Sequence, residues 1–486
     1  MLLTSSASAK TQGNATGRDR RLTVIVFSLF FSWLLAVPFE GQVLYAVAAF
    51  HGVSAQSFVF GAMAAHFVGL ITCGFLVRNM GTAKKFILCS IAFCAAATGV
   101  FFMPPSFLWT AALLLASFLV GVCVAAWGFY FKSCTQKDGR IKTMADCLIF
   151  SNLLMIALNM TAIHISPQIG LGFSITVLAA AFLFALSLPQ GGAPQEPVKP
   201  PAAQSNAIKS SKFGAMAFLC LFIVIITINS GLMYQVVNPA FAHMKALTSW
   251  YWVVPYIVAL FIMRSLPGKV SHSYSLYVAI AMIGFSFILF LLFGRMWQDY
   301  LLINTLMLGA FGVYDLFWWS ILGDMLEHDK NPAKIIGIGL SANVFGVLLG
   351  GLIGTAITAI SDSNQNHTLL ALGVVCATLI MLPPLHKRLT GFLKSHFYLT
   401  VFSEVPEKEQ KRILRKLEFS EPLTKRENEV MALLVAGMAY KAIAAQLHIS
   451  ENTVGTHART VYSKASVANR VELMDLLYNP PAPESE

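Results

Sequence analysis

Apolar residues in this chain fall in runs of about 18 to 27 positions, separated by short polar connections, with no sustained alternation of period two. The runs lie near 22–48, 57–78, 86–104, 108–131, 144–165 and 169–188, then near 213–237, 249–266, 275–294, 300–323, 334–360 and 368–385. A helix rises 1.5 Å per residue, so each run is long enough to cross about 30 Å of hydrocarbon. The pattern therefore predicts an all-α, polytopic bundle of about twelve transmembrane helices in two sets of six. The sets are separated by 189–212, a linker with Gly191, Gly192, Pro194, Pro200 and Pro201.

Composition agrees. The 486 residues are 56% hydrophobic and only 12% charged, with a mean hydropathy of +0.67, whereas soluble domains carry about 25% charged residues. A soluble globular protein, a disordered chain and a collagen-like chain are excluded. The eight cysteines lie between Cys73 and Cys376 without metal-ligand spacing, and read as small membrane-core residues rather than disulfides. The net charge of +11 matters through its placement. A basic leader, 1–21 (Lys10, Arg18, Arg20, Arg21), and the even-numbered connections hold nearly all the loop Lys and Arg, among them Arg78, Lys84, Lys85, Lys132, Lys137, Arg140, Lys142, Arg264 and Lys334. The odd connections hold only Lys245 and Arg295. Positive loops stay in the cytoplasm, so both termini are expected there, in a bacterial-type inner membrane. The first run is too long for a signal-peptide core and is expected to be a retained span.

Two six-helix halves, 22–188 and 213–385, around a central cytoplasmic linker resemble the major facilitator superfamily, whose halves enclose a midplane cavity. The family's loop after its second helix reads G-x-x-x-D-[RK]-x-G-[RK]-[RK]. Here Gly74 and Gly81 stand in place, Arg78 replaces the acid, and the basic pair is displaced to Lys84 and Lys85. The resemblance implies the fold, and the altered loop argues against an intact transport cycle.

Ionisable residues inside spans are functional-site candidates by default. Asp315, flanked by Tyr314, Trp318 and Trp319, is suited either to holding a cationic or polar ligand or to an interhelical hydrogen bond. Glu40 follows Pro38 in a first helix interrupted at Gly41, and stands either at the cavity or at the outer interface. His66 lies mid-span, either bonding a neighbouring helix or sensing a ligand. Glu40, His66, Asp315 and Trp318 are the candidate ligand residues. Asp146 is expected to pair with Arg140 or Lys142, and the Gly346, Gly350, Gly354 spacing to pack helices.

The composition changes at residue 386. Residues 386–486 hold 14 Lys/Arg and 12 Asp/Glu, so about a fifth of the chain carries nearly half its charge. An interfacial segment and charged linker, 386–421, leads to a soluble domain at 422–479 and a tail at 480–486. Thr424 with Glu427 forms a capping box opening a helix that ends at Gly437, with Val430, Leu433 and Leu434 inward. A second helix over 440–447 turns Ile443, Ala444 and Leu447 inward, and His448-Ile449-Ser450 makes the turn. Ser450 caps a third, 451–464, with Val454, Val461 and Tyr462 inward and Asn452, Thr453, Gly455, Thr456 and Arg459 outward. A fourth runs from about 468 to 478. This is a helix-turn-helix, whose second element enters the DNA major groove.

Residues 423–475 resemble the LuxR-type DNA-binding domain: L-T-x-R-E-x-E-V matches Leu423 to Val430, I-A-x-x-L-x-I-S-x-x-T-V-x-x-H matches Ile443 to His457, and Y-x-K-x-x-V-x-N-R matches Tyr462 to Arg470. The resemblance implies phosphate contacts from Lys441 and Thr453 and base contacts from Thr456 and Arg459, with Lys464 beside them. His457 is either packing or phosphate-facing. Gly455 stands where the family usually has Lys, and Ala465-Ser466 where it has Leu-Gly. The family dimerises through its fourth helix, here Val471, Leu473 and Leu477. The expectation is a membrane-tethered transcription regulator whose bundle senses a small molecule or envelope signal, with double-stranded DNA, the bilayer, a small-molecule ligand and a second copy as partners. The alternatives are an active secondary transporter carrying a regulatory domain, and a bundle that merely anchors. No nucleophile-base pair, metal cluster or phosphate loop appears, so neither an enzyme, a cofactor nor a metal is expected.

Overall fold

In the computed structural model, the described residues are 3–39, 41–54, 56–190, 204–266, 272–326, 329, 331–360, 369–381, 383–384, 419–435, 438, 440–470, 472–473 and 476. The chain divides into two compact units, a bundle of 1–193 with 220–382, and a second unit containing the C-terminal domain.

Among the described residues, ten helices of the bundle are long and apolar enough to cross a membrane. They include Gln56–Leu76, Met80–Val100, Arg140–His164, Pro167–Leu186 and Pro332–Ile360. Local chemistry sets their ends. Asn79 caps the second of these, its Oδ1 accepting from the Thr82 amide at 2.8 Å. Pro167 opens the fourth, where its missing amide costs nothing. The helix Gln204–Leu232 passes into a π-helical turn, Met233–Val237, and a last turn Asn238–Ala240. Pro239 there cannot donate to the carbonyl four residues back, which favours the widened turn.

The run at 22–48 is interrupted at Gly41, as expected of it: Leu3–Ala36 ends in a turn, and Gln42–Phe50 begins afresh after Gly41. A side chain at Gly41 would collide with the Ala36 carbonyl, so the break depends on glycine. The same first helix runs back through the basic leader to Leu3. The run at 368–385 appears as the shorter apolar helix Leu369–Met381.

Small residues let the helices close. A methyl on Gly69 would strike the Phe118 carbonyl and one on Gly121 the His66 carbonyl, which brings Gln56–Leu76 against Phe107–Ala126. Across the halves, Gly337 meets the Leu70 carbonyl. Gly346 and Gly350 meet backbone of Val224 and Ile228, the packing role expected of that spacing. Trp33 and Trp109 are fully buried and each donates its indole N–H, to Thr98 Oγ1 at 3.0 Å and the Met103 carbonyl at 3.1 Å. The outer surface is apolar, with Phe75 69%, Phe107 81% and Ile380 75% exposed, as lipid-facing positions are. The eight cysteines are free, five of them buried.

The C-terminal domain has its own core. Val430, Met431, Leu434 and Val435 of Lys425–Val435, Ile443 and Ala444 of Tyr440–Leu447, and Val454, Ala458, Val461 and Tyr462 of Glu451–Lys464 close on one another. These are the inward positions expected from helical spacing, with Met431, Val435 and Ala458 added and Leu433 and Leu447 at the margin.

Candidate nucleic-acid interface and polar residues of the bundle

The capping box forms as the spacing demands. The Glu427 amide donates to Thr424 Oγ1 at 3.3 Å, and the Thr424 amide to Glu427 Oε2 at 2.8 Å. The same carboxylate accepts from Lys464 Nζ at 2.9 Å, with the two side chains only 9% and 15% exposed. Lys464 also donates to the Pro422 carbonyl, and the Ser420 amide donates to the Lys464 carbonyl. The end of the third helix is thereby bolted to the start of the first. The Thr424 amide, and then Lys464, hold the Glu427 carboxyl below the usual carboxylate range. Lys464 is thus held in a structural ion pair at the end of the third helix.

His448 takes the left-handed conformation, φ 54°, that lets the second helix stop and the chain turn. Ser450 Oγ then accepts from the Thr453 amide at 3.0 Å, capping the third helix. Ser466, just past its end, is also left-handed at φ 55°, standing where the family pattern has Gly. Arg426 fastens the first helix to the second, donating to the Leu447 carbonyl at 2.6 Å and to Glu429 at 2.7 Å. Arg470 donates to the Met438 carbonyl, and burial lowers its pKa, whereas burial raises that of Tyr462. Arg426 and Arg470 match the family motif without any cue in it to their roles as struts.

One face of the third helix stays open. Asn452, Thr456 and Arg459, spaced four and three apart, are exposed, as is Thr453. The Thr456 hydroxyl returns to the Asn452 carbonyl at 3.1 Å. Among the described residues, Arg459 has no hydrogen bond or ion pair, so its five donors are free. Gly455 lies one turn before it, and a Cβ added there would rest 3.8 Å from the Tyr440 ring, ordinary contact. His457 is half-buried. Only the backbone of Lys441 is described, within Tyr440–Leu447. Leu473, expected at a dimer surface, is fully buried in the domain core, so its apolar side chain serves packing within one copy. Val471 and Leu477 lie outside the described residues.

In the bundle, Asp315 accepts a 2.5 Å hydrogen bond from the Tyr256 hydroxyl of Val253–Ser265, the interhelical bond that was one of its two readings. Trp318 is buried, its indole N–H without a partner among the described residues, and stacks on Tyr314, ring planes 1° apart at 6.4 Å. Trp319 turns the other way, edge-on to Phe27, Trp127 and Phe131 of the first half at 6.1–6.4 Å. His66 is buried, its ring 4.7 Å from Phe39 and its Nδ1 without a partner among the described residues. Glu40 lies outside the described residues.

Asp146 does not pair with Arg140 or Lys142. Its two oxygens accept from Arg20 and from Arg264 of the second half, each at 2.6 Å. Long-range partners win because Arg140 is committed elsewhere, donating to the Gly323 carbonyl at 2.7 Å. At the altered loop, Asn331 of the second half donates to the Gly74 and Val77 carbonyls at 2.9 and 3.0 Å, and Arg78 is exposed. Amide-to-carbonyl bonds thus join the halves at the loop where Arg78 replaces the family's acid.

Residues 421–477 match the family described as bacterial regulatory proteins, luxR family. Over 60 residues the chain is 42% identical to the monoamine regulon transcriptional regulator of Klebsiella aerogenes, covering 12% of this chain and 26% of that protein. Over 59 residues it is 44% identical to the transcriptional regulatory protein UhpA of Salmonella typhimurium, covering 12% and 30%. The chain thus spans less than a third of the length of these relatives. The structure is similar to that of the human organic anion transporter MFSD10, with a TM-score of 0.54 at 12% identity, covering 75% of this chain and 98% of that one. The chain therefore joins a LuxR-type helix-turn-helix domain to a bundle of helices long and apolar enough to cross a membrane, whose fold is similar to that of a solved transporter.

Proposed function

We propose that the chain is a membrane-tethered transcription regulator that binds promoter DNA through the third helix of its C-terminal domain. The observation that carries this reading is the open face of Glu451–Lys464, where Arg459 is exposed and unpaired while Lys464, Arg426 and Arg470 are spent on the scaffold. A free guanidinium on a groove-sized helix can bond guanine O6 and N7 together, worth about 1–3 kcal/mol of discrimination. Thr456 reads beside it, and Thr453, Lys441 and His457 contact phosphate. Two copies bind together, both termini are cytoplasmic, and the bundle is the sensor. Its signal is a small molecule or envelope cue received at Asp315, His66, Trp318 and Glu40. The test is genome-wide occupancy of the full-length protein, wild type against Arg459→Ala. Discrete promoter peaks lost in the variant are expected; identical peaks in both would overturn the assignment of Arg459, and no peaks in any condition would overturn the regulator reading.

A second reading, a working transporter that carries a regulatory domain, is favoured by the transporter-like fold. Solute uptake by proteoliposomes, abolished by Asp315→Asn, separates it from a sensor that regulates promoters without uptake.

A further inference from the structure

The bundle carries a groove that no part of the regulator reading uses. It lies between Leu3–Ala36 and Arg140–His164, has a volume of about 340 Å³, and is lined by Arg20, Arg21, Ile25, Leu29, Phe150 and Leu154, among others. Its chemistry is graded. On the first helix, Arg21, Ile25 and Leu29 recur every fourth residue, and on the other Asp146, Phe150 and Leu154 do the same, so each series forms one row along its helix. Eight residues at 1.5 Å each make a track of about 12 Å from a charged end into an apolar one. The charged end is cationic: the single lining carboxylate, Asp146, has both oxygens occupied by guanidinium groups. Among the described residues, Arg21 is exposed and makes no hydrogen bond or ion pair. Arg20 keeps a third of its side chain exposed while bonding Asp146 and Thr143. The apolar walls face outward, with Ile25 39% and Phe150 54% exposed.

We propose that this groove binds an anionic phospholipid, its phosphate on Arg21 and the free edge of Arg20 and one acyl chain along Ile25, Phe150 and Leu154. Two features select that occupant. An unpaired guanidinium, Arg21, beside the partly exposed Arg20 at the end of an apolar span attracts anionic headgroups, and an outward apolar track continuous with the lipid-facing surface suits a hydrocarbon chain and not a free anion. Arg20 belongs at once to the groove and to the Arg20–Asp146–Arg264 tie between the halves, so an occupying phosphate shares a residue with that tie.

The experiment uses full-length protein in a nonionic detergent, titrated with dioleoyl phosphatidylglycerol, dioleoyl phosphatidylcholine or inorganic phosphate, with bound lipid read by native mass spectrometry. Phosphatidylglycerol is expected to exceed phosphatidylcholine. Arg21→Ala should lower phosphatidylglycerol binding about fivefold, the effect of one basic contact, Arg21→Lys should retain most of it, and Lys85→Ala, removing an exposed charge outside the groove, should leave it unchanged. Equal binding of the two lipids would overturn the proposal, as would equal losses from Arg21→Ala and Lys85→Ala. Displacement of the lipid by inorganic phosphate would make the site a free-anion site and overturn it too. None of these outcomes depends on DNA binding.

Discussion

Gly455 is the position where the C-terminal domain departs most consequentially from its family, and a change there can be worked out in advance. It is the fifth residue of the helix Glu451–Lys464, with φ in the ordinary helical range, so its backbone gains nothing from being glycine. An added Cβ finds its nearest neighbour, a Tyr440 ring carbon, at 3.8 Å, so no cavity is overfilled. Gly455→Ala should therefore recover the full helix propensity difference, about 1 kcal/mol. For a domain of this size that raises Tm by roughly 4–8 °C. Gly455→Lys should recover most of the same stability and place an ammonium one turn before Arg459, adding one phosphate contact. The slope of log K against log salt should then steepen by about 0.9 on duplex DNA of arbitrary sequence. The segment from residue 419 on, which has its own core, suits both measurements: thermal unfolding, and fluorescence anisotropy across a salt series. A lower Tm for Gly455→Ala would refute the steric reading. A stabilised Gly455→Lys with an unchanged salt slope would show that position 455 does not face phosphate.

Further outcomes follow from other residues. Glu427→Gln removes the charge that Lys464 and the Thr424 amide share, and should cost about 1.5–3 kcal/mol in denaturant unfolding, the worth of buried hydrogen bonds to charge. Because the folded carboxyl is held below its ordinary value, its stabilisation is complete above about pH 4.3 and is lost as pH falls through the lowered value, so the variant's acid limb should be flatter. Ser466→Gly should stabilise the domain by about 1 kcal/mol, since a left-handed φ of 55° costs a side-chain-bearing residue that glycine does not pay; an unchanged Tm would count against strain there. Asp146→Asn should weaken both arginine bonds, about 1 kcal/mol each after discounting for guanidinium groups a third exposed. The adjacent Cys147, fully buried in the wild type, should then react with maleimide about thirtyfold faster; an unchanged rate would mean that the tie does not hold the helix end.

Much of this architecture is legible in the chain because it depends on local order. Helical spacing placed Val430, Ile443, Val454 and Val461 in a core, and a three-residue interval predicted the Thr424–Glu427 box that forms. What the chain hides is set by distance. Lys464 matches a DNA-binding motif by position, but its partner Glu427 is 37 residues away and only folding reveals the pair. Asp146 has Arg140 and Lys142 within two turns and takes Arg20 and Arg264 instead, more than 115 residues off. Helical position put Leu473 on a helix, but which face the neighbouring helices would cover depends on how four helices cross. The broken first span was foreshadowed by Pro38 and Gly41, yet a hydropathy window averages over such a break and sees one run.

Under the proposed regulator function, the missing lysine at 455 and the membrane tether make sense together. A phosphate contact carries no sequence information and strengthens binding to every duplex alike, so its loss lowers residence on all DNA without changing the ratio between promoter and bulk. A soluble protein would lose occupancy in proportion. A chain confined to the membrane, binding as a pair, recovers affinity from the effective concentration of its second copy, and only when the bundle brings two copies together. Low intrinsic affinity then becomes the condition for control, because a domain that binds tightly alone has nothing left for the signal to add. Gly455→Lys in the full-length protein should accordingly occupy its promoters in the absence of the signal. A variant that binds more tightly as a fragment yet remains fully signal-dependent when tethered would break the link between weak contact and regulation, and would place control in the accessibility of the domain instead.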